Sequence, residues 1–138
     1  EDLPPVLRTL TDQFWIGPGR SAPIGYHVAH LAGSLDRLFT YARGEGLSPE
    51  QQLALAAERT ITETRPQPPE LLALLTGRLD GAVRELASVP EASLLAPREV
   101  GRARLPSTTL GLLFHAAEHT ARHAGQILTL TRVVRGEP

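Results

Sequence analysis

Residues 114–127, FHAAEHTARHAGQI, place three histidines at intervals of four: His115, His119 and His123. The chain has only 5 histidines in its 138 residues. Residues four apart on a helix lie one above the other on the same face. The stretch therefore predicts a helix with an ionisable stripe, and this is the spacing by which one helix offers two imidazoles to a metal ion.

A second predicted helix, from about Pro23 to Arg43 with Gly44 after its end, carries the other two histidines, His27 and His30. Further polar or ionisable side chains share a face with His30: Tyr26, Ser34, Arg37 and Tyr41. A core-facing stripe is normally leucine and valine. A buried polar group without a partner is costly, so we expect something to satisfy this face.

Prolines and glycines divide the rest of the chain into further helices. We predict a short helix over residues 4–14, a helix from a Ser48–Gln51 capping box to about Glu58, and a helix over residues 69–89. Ser107 is the expected cap of the last helix, which ends near Arg135. No alternating strand is evident. The pattern predicts an all-α, up-and-down four-helix bundle in one domain, residues 1–138.

Composition narrows the class of protein. Hydrophobic content of 41%, charged content of 21% and a net charge of -1 are typical of a soluble globular domain and give no sign of nucleic-acid binding. The absence of cysteine excludes disulfides, thiolate metal sites and cysteine nucleophiles. No apolar run approaches a membrane span, and without a secretion signal the cytoplasm is the default location. The chain begins without methionine, so a preceding helix could be missing.

Spacing alone leaves two interpretations of the histidines open. His119 and His123 could bind a metal, or they could form a surface stripe beside Glu118 and Arg122. A single histidine on an apolar face is most often a hydrogen-bonded core or rim residue, which is the simpler interpretation of His27 and of His115.

Two segments together resemble the DinB-like (DinB/YfiT-type) family of four-helix metalloproteins: PIGYHVAHLAGSLDRLFTYARGEGLS at 23–48 and GLLFHAAEHTARHAGQI at 111–127. In that family one histidine lies near the start of the second helix, in a pattern like S-I-x-x-x-x-x-H-[IL]-A, and an H-x-x-x-H pair, commonly followed by x-G-Q-I, lies on the last. His30 matches the first, and His119 and His123 match the pair. The resemblance covers about residues 10–130, with a first helix shorter than the family's, either trimmed or genuinely short.

The resemblance implies a divalent metal held by His30, His119 and His123, with water or substrate completing the shell. Three neutral nitrogens suit zinc or nickel, with iron and manganese as further occupants. A metal site with three histidine ligands and one open coordination position is typical of catalytic sites. Some members resemble transferases that use a low-molecular-weight thiol (bacillithiol, mycothiol or glutathione) against electrophiles. We expect a small-molecule substrate, no nucleic-acid or membrane partner and, from the resemblance, a homodimer.

Other residues receive supporting roles in this hypothesis. His27 and His115 are candidate catalytic groups, as orienters or proton carriers, and Tyr26, Arg37 and Gln126 are candidates for the wall of a cofactor pocket. The three arginines before the last helix could hold the carboxylates of a thiol, or form a solvated loop: Arg98, Arg102 and Arg104.

Two other functions stay open at this point. One is a metal-dependent hydrolase, although Glu118 points about 100° away from His119 and would be a poor base. The other is a non-catalytic metal clamp or a stress-related protein, which a shell completed by His27 or His115 would favour.

Overall fold

The computed structural model describes residues 13–137. Its elements, in chain order, are α1 (Ile24–Ala42), α2 (Pro49–Ala57), a 3₁₀ turn (Glu58–Thr60), α3 (Ile61–Thr64), α4 (Pro68–Ser88), a 3₁₀ turn (Glu91–Ser93), β1 (Pro97–Val100), β2 (Leu105–Thr108) and α5 (Thr109–Arg135). The predicted all-α fold class is confirmed. The helix predicted over residues 4–14, and with it the question of a shortened first helix, falls mainly outside the described residues.

Helix α1 is the central element and contacts both α5 and α4. It begins after Pro23, whose backbone is extended, and it ends at Arg43 and Gly44, where the glycine takes a φ of 82°. A Cβ on Gly25 would come within 2.7 Å of the Trp15 ring, so a glycine is needed where the preceding loop packs on the helix. These boundaries match the predicted ones to within one residue.

The pairing of side chains gives the helix directions. Helix α5 is antiparallel to α1, because His27 contacts His123 near one end and Thr109 contacts the carbonyl of Ala42 near the other. Helix α4 is parallel to α1. Its Arg78 binds Asp36 at 2.7 Å, and its Glu85 binds Arg43 at 2.9 Å. In an up-and-down bundle, consecutive long helices alternate in direction. Helix α5 keeps this alternation, but α4 runs in the same direction as α1, because residues 43–67 cross back along α1 before α4 begins.

The predicted capping box at the start of α2 is confirmed. Its glutamine, Gln51, fixes the crossover segment, residues 43–67, to α1. Ser48 Oγ accepts a hydrogen bond from the backbone of Gln51, whose side chain accepts one from the Ser48 backbone. The Gln51 amide also donates to Asp36 (2.9 Å) and Thr40 (2.7 Å) on α1. The crossover therefore runs close along α1, and Glu58, directly after α2, lies beside that helix.

Two apolar clusters form the core. One joins Ile24 and Val28 of α1 to Leu71 of α4 and Ile127 of α5. The other is built around Leu35, Leu38 and Phe39 of α1 with Leu112, Leu113 and Ala116 of α5. His119 and His123 lie on α5 between Ala116 and Ile127. The histidines thus occupy the part of the α1–α5 interface where one apolar cluster gives way to the other.

The segment before α5, where no strand was expected, contains an antiparallel hairpin, with Pro97 opposite Thr108 and Val100 opposite Leu105. The prediction of no strand is wrong here, since four-residue strands interrupted by proline are too short to show alternation. The cap of α5 is Thr108, which accepts from Gly111 at 3.0 Å, and not Ser107. The helix ends as predicted, at Arg135, with Gly136 in the left-handed conformation at a φ of 67°.

No helix in the described range is both long enough and apolar enough to span a membrane.

Candidate metal centre

The three predicted ligands converge from two helices. His30 of α1 and His119 and His123 of α5 each offer one nitrogen, and these nitrogens lie within 4.8 Å of one another. His30 Nε2 and His119 Nε2 are 3.2 Å apart. Two nitrogens bound tetrahedrally to zinc at about 2.0–2.1 Å lie roughly 3.3 Å apart, so the spacing suits a shared cation. His123 is buried, and the other two rings are partly buried.

A carboxylate that the sequence analysis missed orients His30. Glu58 Oε2 lies 3.1 Å from His30 Nδ1, so that nitrogen carries the hydrogen and donates to the carboxylate. The lone pair of the His30 ring is then on Nε2, which faces His119. A carboxylate behind a ligating histidine is a common arrangement at metal sites, since it fixes the tautomer and raises the basicity of the ring.

Glu58 is itself held by Arg37, whose guanidinium donates to both of its oxygens. Burial acts to raise the pKa of Glu58, but hydrogen bonds from His30 and Arg37 and the charge of Arg37 outweigh it and lower the pKa below its ordinary value. The carboxylate is therefore ionised near neutral pH. Gly33 makes the room for this pair, because a Cβ there would overlap Glu58 Oε1 and lie 2.7 Å from the Arg37 guanidinium.

His27 supports His123 in a similar way. The Nδ1 atoms of the two rings are 3.1 Å apart, and His27 is only 8% exposed. In the tautomer in which His123 Nδ1 donates to His27, the His123 Nε2 lone pair is free to bind a cation. His27 does not belong to the group of converging ligand nitrogens.

A positively charged side chain, the guanidinium of Arg122, contacts the site at His119. Arg122 donates a hydrogen bond from Nη2 to His119 Nδ1 at 2.8 Å. The ring of Tyr26 stacks on His30, with an interplanar angle of 2° and centroids 5.6 Å apart. Tyr26 thus limits the rotation of His30 about its side-chain bonds.

The other predicted site residues, His115, Arg37 and Gln126, lie in three different environments. The His115 side chain is 52% exposed and lies 3.5 Å from Glu118, and it does not join the ligand nitrogens. Arg37 contacts Glu58. Gln126 lines a cavity of about 580 Å³, together with Ser21, Ala22, His27, Arg122, Gly125, Thr129 and Leu130. Two of the residues that line this cavity contact predicted metal ligands. His27 contacts His123, and Arg122 contacts His119.

The three arginines before α5 line a different cavity, of about 950 Å³, at the other end of α1. Tyr41 on its wall lies about three helical turns, or roughly 16 Å, from His30. Arg98 donates to the carbonyl of Ala42 at 2.7 Å, and Arg104 pairs with Glu99 at 2.6 Å. The three arginines therefore lie away from the metal centre, because the hairpin that carries them packs at the far end of α1.

Burial and neighbouring positive charge lower the pKa of three of the histidines, His27, His119 and His123. Burial, together with the neighbouring histidines, lowers the pKa of His123 to about 4. Burial also lowers the pKa of His119, with His30 and Arg122 adding to the effect, and burial and His30 lower the pKa of His27. Neutral imidazoles are the form in which histidine binds metals.

These lowered pKa values predict how the metal-free protein responds to acid. Below pH 6.5 the unfolded chain binds protons on these histidines more readily than the folded chain does, so the free energy of unfolding falls as pH falls towards 4. His123 alone contributes about 2–3 kcal/mol of this loss between pH 6.5 and 4.5. Urea unfolding of chelator-treated protein measures it, and His123→Gln should flatten the profile. A wild-type stability that stays constant over this range would contradict the account.

Comparison with known proteins identifies the family of the chain. The family model of the DinB superfamily matches residues 1–127, a range that contains all three converging histidines. A search among curated proteins finds no match. The match covers nearly the whole chain and agrees with its helical fold, so the chain belongs to the DinB superfamily.

Proposed function

We propose that this protein is a divalent-metal-dependent enzyme that transfers a low-molecular-weight thiol to electrophilic small molecules. The observation that carries the proposal is the convergence of three imidazoles on one point beside a cavity, with no fourth ligand among residues 13–137. Structural zinc sites are usually closed by four protein ligands, whereas catalytic sites keep one position open. Among the described residues neither His27 nor His115 completes the shell.

The residues favour a thiol over water as the nucleophile. A divalent cation with an open position lowers the pKa of a thiol or a water and supplies a nucleophile at neutral pH. Hydrolysis commonly adds a carboxylate base, but Glu58 is occupied by His30 and Arg37, and Glu118 lies beside the exposed His115. The chain has 0 cysteines, so the reacting sulfur has to come from a cosubstrate.

The chain's own groups can complete the transfer. Sulfur forms a bond to the electrophilic carbon, and the displaced group leaves with the electron pair of the broken bond. His27 holds His123 from the wall of the cavity, and the thiol proton passes to solvent through that cavity. Gln126 offers both an amide donor and a carbonyl acceptor to a bound cosubstrate. Zinc and nickel suit the all-nitrogen donor set best.

Thiol consumption tests the proposal. Protein loaded with zinc or with nickel is mixed with bacillithiol, mycothiol or glutathione and an epoxide or haloalkane, and thiol loss and thioether product are measured. We expect turnover above the uncatalysed rate, its loss on chelation and in His119→Ala, and its retention in His115→Ala. Equal thiol loss with and without metal would contradict the proposal.

Two alternatives predict different results in the same samples. A metal-dependent hydrolase would cleave ester or amide substrates and leave the thiols intact. A metal clamp would give neither reaction, although zinc would still raise the unfolding temperature.

A further inference from the structure

Arg122 cannot keep its present hydrogen bond when His119 binds a cation. A neutral imidazole has one nitrogen with a lone pair and one with a hydrogen. Because Arg122 donates to Nδ1, the lone pair of His119 used here is the one on Nδ1, and Nε2 carries the hydrogen that points at His30 Nε2, 3.2 Å away. The rings therefore form a chain of hydrogen bonds from Arg122 through His119 and His30 to Glu58.

Either way of binding a cation breaks the first link of this chain. If His119 binds the cation through Nε2, then Nδ1 carries the hydrogen. The Nδ1–H group and the Arg122 guanidinium are then two donors that face each other. If His119 binds through Nδ1, the lone pair that Arg122 uses is taken. Repulsion between the cation and the guanidinium on the same ring acts in the same direction.

The released guanidinium has a cavity to enter. Arg122 lines the cavity of about 580 Å³, one turn before Gln126 on the same helix face. Ser21 and Thr129 line the same cavity. Among residues 13–137 no carboxylate forms an ion pair with Arg122. A cavity of this size suits a ligand of a few hundred daltons, and a free guanidinium favours a carboxylate on it.

We infer that cation loading of the histidine triad releases Arg122 from His119 and makes it the anchor for a carboxylate of the small-molecule ligand in the Gln126 cavity. This inference rests on the proposed function, since it names the group that would hold a thiol cosubstrate that carries a carboxylate, as bacillithiol and glutathione do. It predicts that metal and carboxylate ligand bind with positive coupling.

Zinc affinity tests the release. Arg122→Met removes the guanidinium and keeps an unbranched apolar side chain, and Arg132→Met, at an exposed arginine near the end of the same helix, is the matched control. A lost competing hydrogen bond of about 1 kcal/mol predicts that Arg122→Met binds zinc about threefold to tenfold more tightly than Arg132→Met. Equal or weaker zinc binding by Arg122→Met would overturn the release.

Binding of S-methylglutathione tests the anchor. This probe keeps both carboxylates and has no free thiol, so it binds without turnover. We expect zinc-loaded wild-type protein to bind it at least about fivefold more tightly than metal-free protein or zinc-loaded Arg122→Met, and to bind its diester weakly. Equal affinity of the two zinc-loaded proteins would overturn the anchor. Thiol consumption plays no part in either measurement, so failure of the transferase proposal is detected separately.

Discussion

Replacing His119 by alanine is expected to abolish stoichiometric binding of a divalent cation, whereas His115→Ala should bind almost as the wild type does. His119 offers one of three converging nitrogens, with Nε2 only 3.2 Å from that of His30. The His115 side chain is 52% exposed and lies beside Glu118, outside the group. Removing even a supporting residue at a metal site commonly costs 10–100-fold in affinity, so loss of a ligand should exceed about 100-fold.

The two variants are compared by metal content after dialysis and by calorimetric titration with zinc. Both histidines lie on the same helix and four residues apart, so the pair differs mainly in which ring is removed. Urea unfolding of each metal-free variant shows that the fold is retained. Equal losses of zinc binding in His119→Ala and His115→Ala would mean that the ligands on this stripe are misidentified.

The second large effect is expected at a residue that is not a metal ligand. Glu58→Gln keeps the shape of the side chain but removes the negative charge that accepts from His30 Nδ1 and from Arg37. The Arg37 side chain, 11% exposed, then loses its counter-charge, and the Nδ1 hydrogen of His30 faces a weaker acceptor. We expect zinc to bind about 10–100-fold more weakly.

Calorimetry on Glu58→Gln and on Glu63→Gln, an exposed residue with the same change of charge, measures this effect. Gly33→Ala is an independent variant, since its Cβ would displace the Glu58 carboxylate without removing it. Both Glu58→Gln and Gly33→Ala should weaken zinc binding. If Glu58→Gln matches Glu63→Gln, the carboxylate has no role in positioning His30.

Local spacing was sufficient to predict the parts of the fold that depend on neighbouring residues. The i, i+4 pair His119 and His123 lies on one helix, and the capping box at Ser48 depends on a contact between residues three apart in the sequence. The convergence of His30 with this pair could be predicted only with the family resemblance, because periodicity does not say which helices become neighbours.

The missed features depend on long-range packing. Glu58 lies 28 residues from His30 and reaches it only because the chain crosses back along α1. One signal was present, since a glycine in mid-helix at Gly33 costs about 1 kcal/mol relative to alanine and needs a packing reason. The parallel course of α4 and the far position of the hairpin arginines likewise follow from the crossover, which short links between helices did not predict.

X-ray absorption spectroscopy of protein loaded with one zinc per chain tests the central claim most directly. The geometry predicts three imidazole nitrogens at about 2.0 Å and one further light-atom ligand that is not a histidine. Four imidazoles around the zinc would contradict an open coordination position, and one imidazole or none would contradict the metal centre itself.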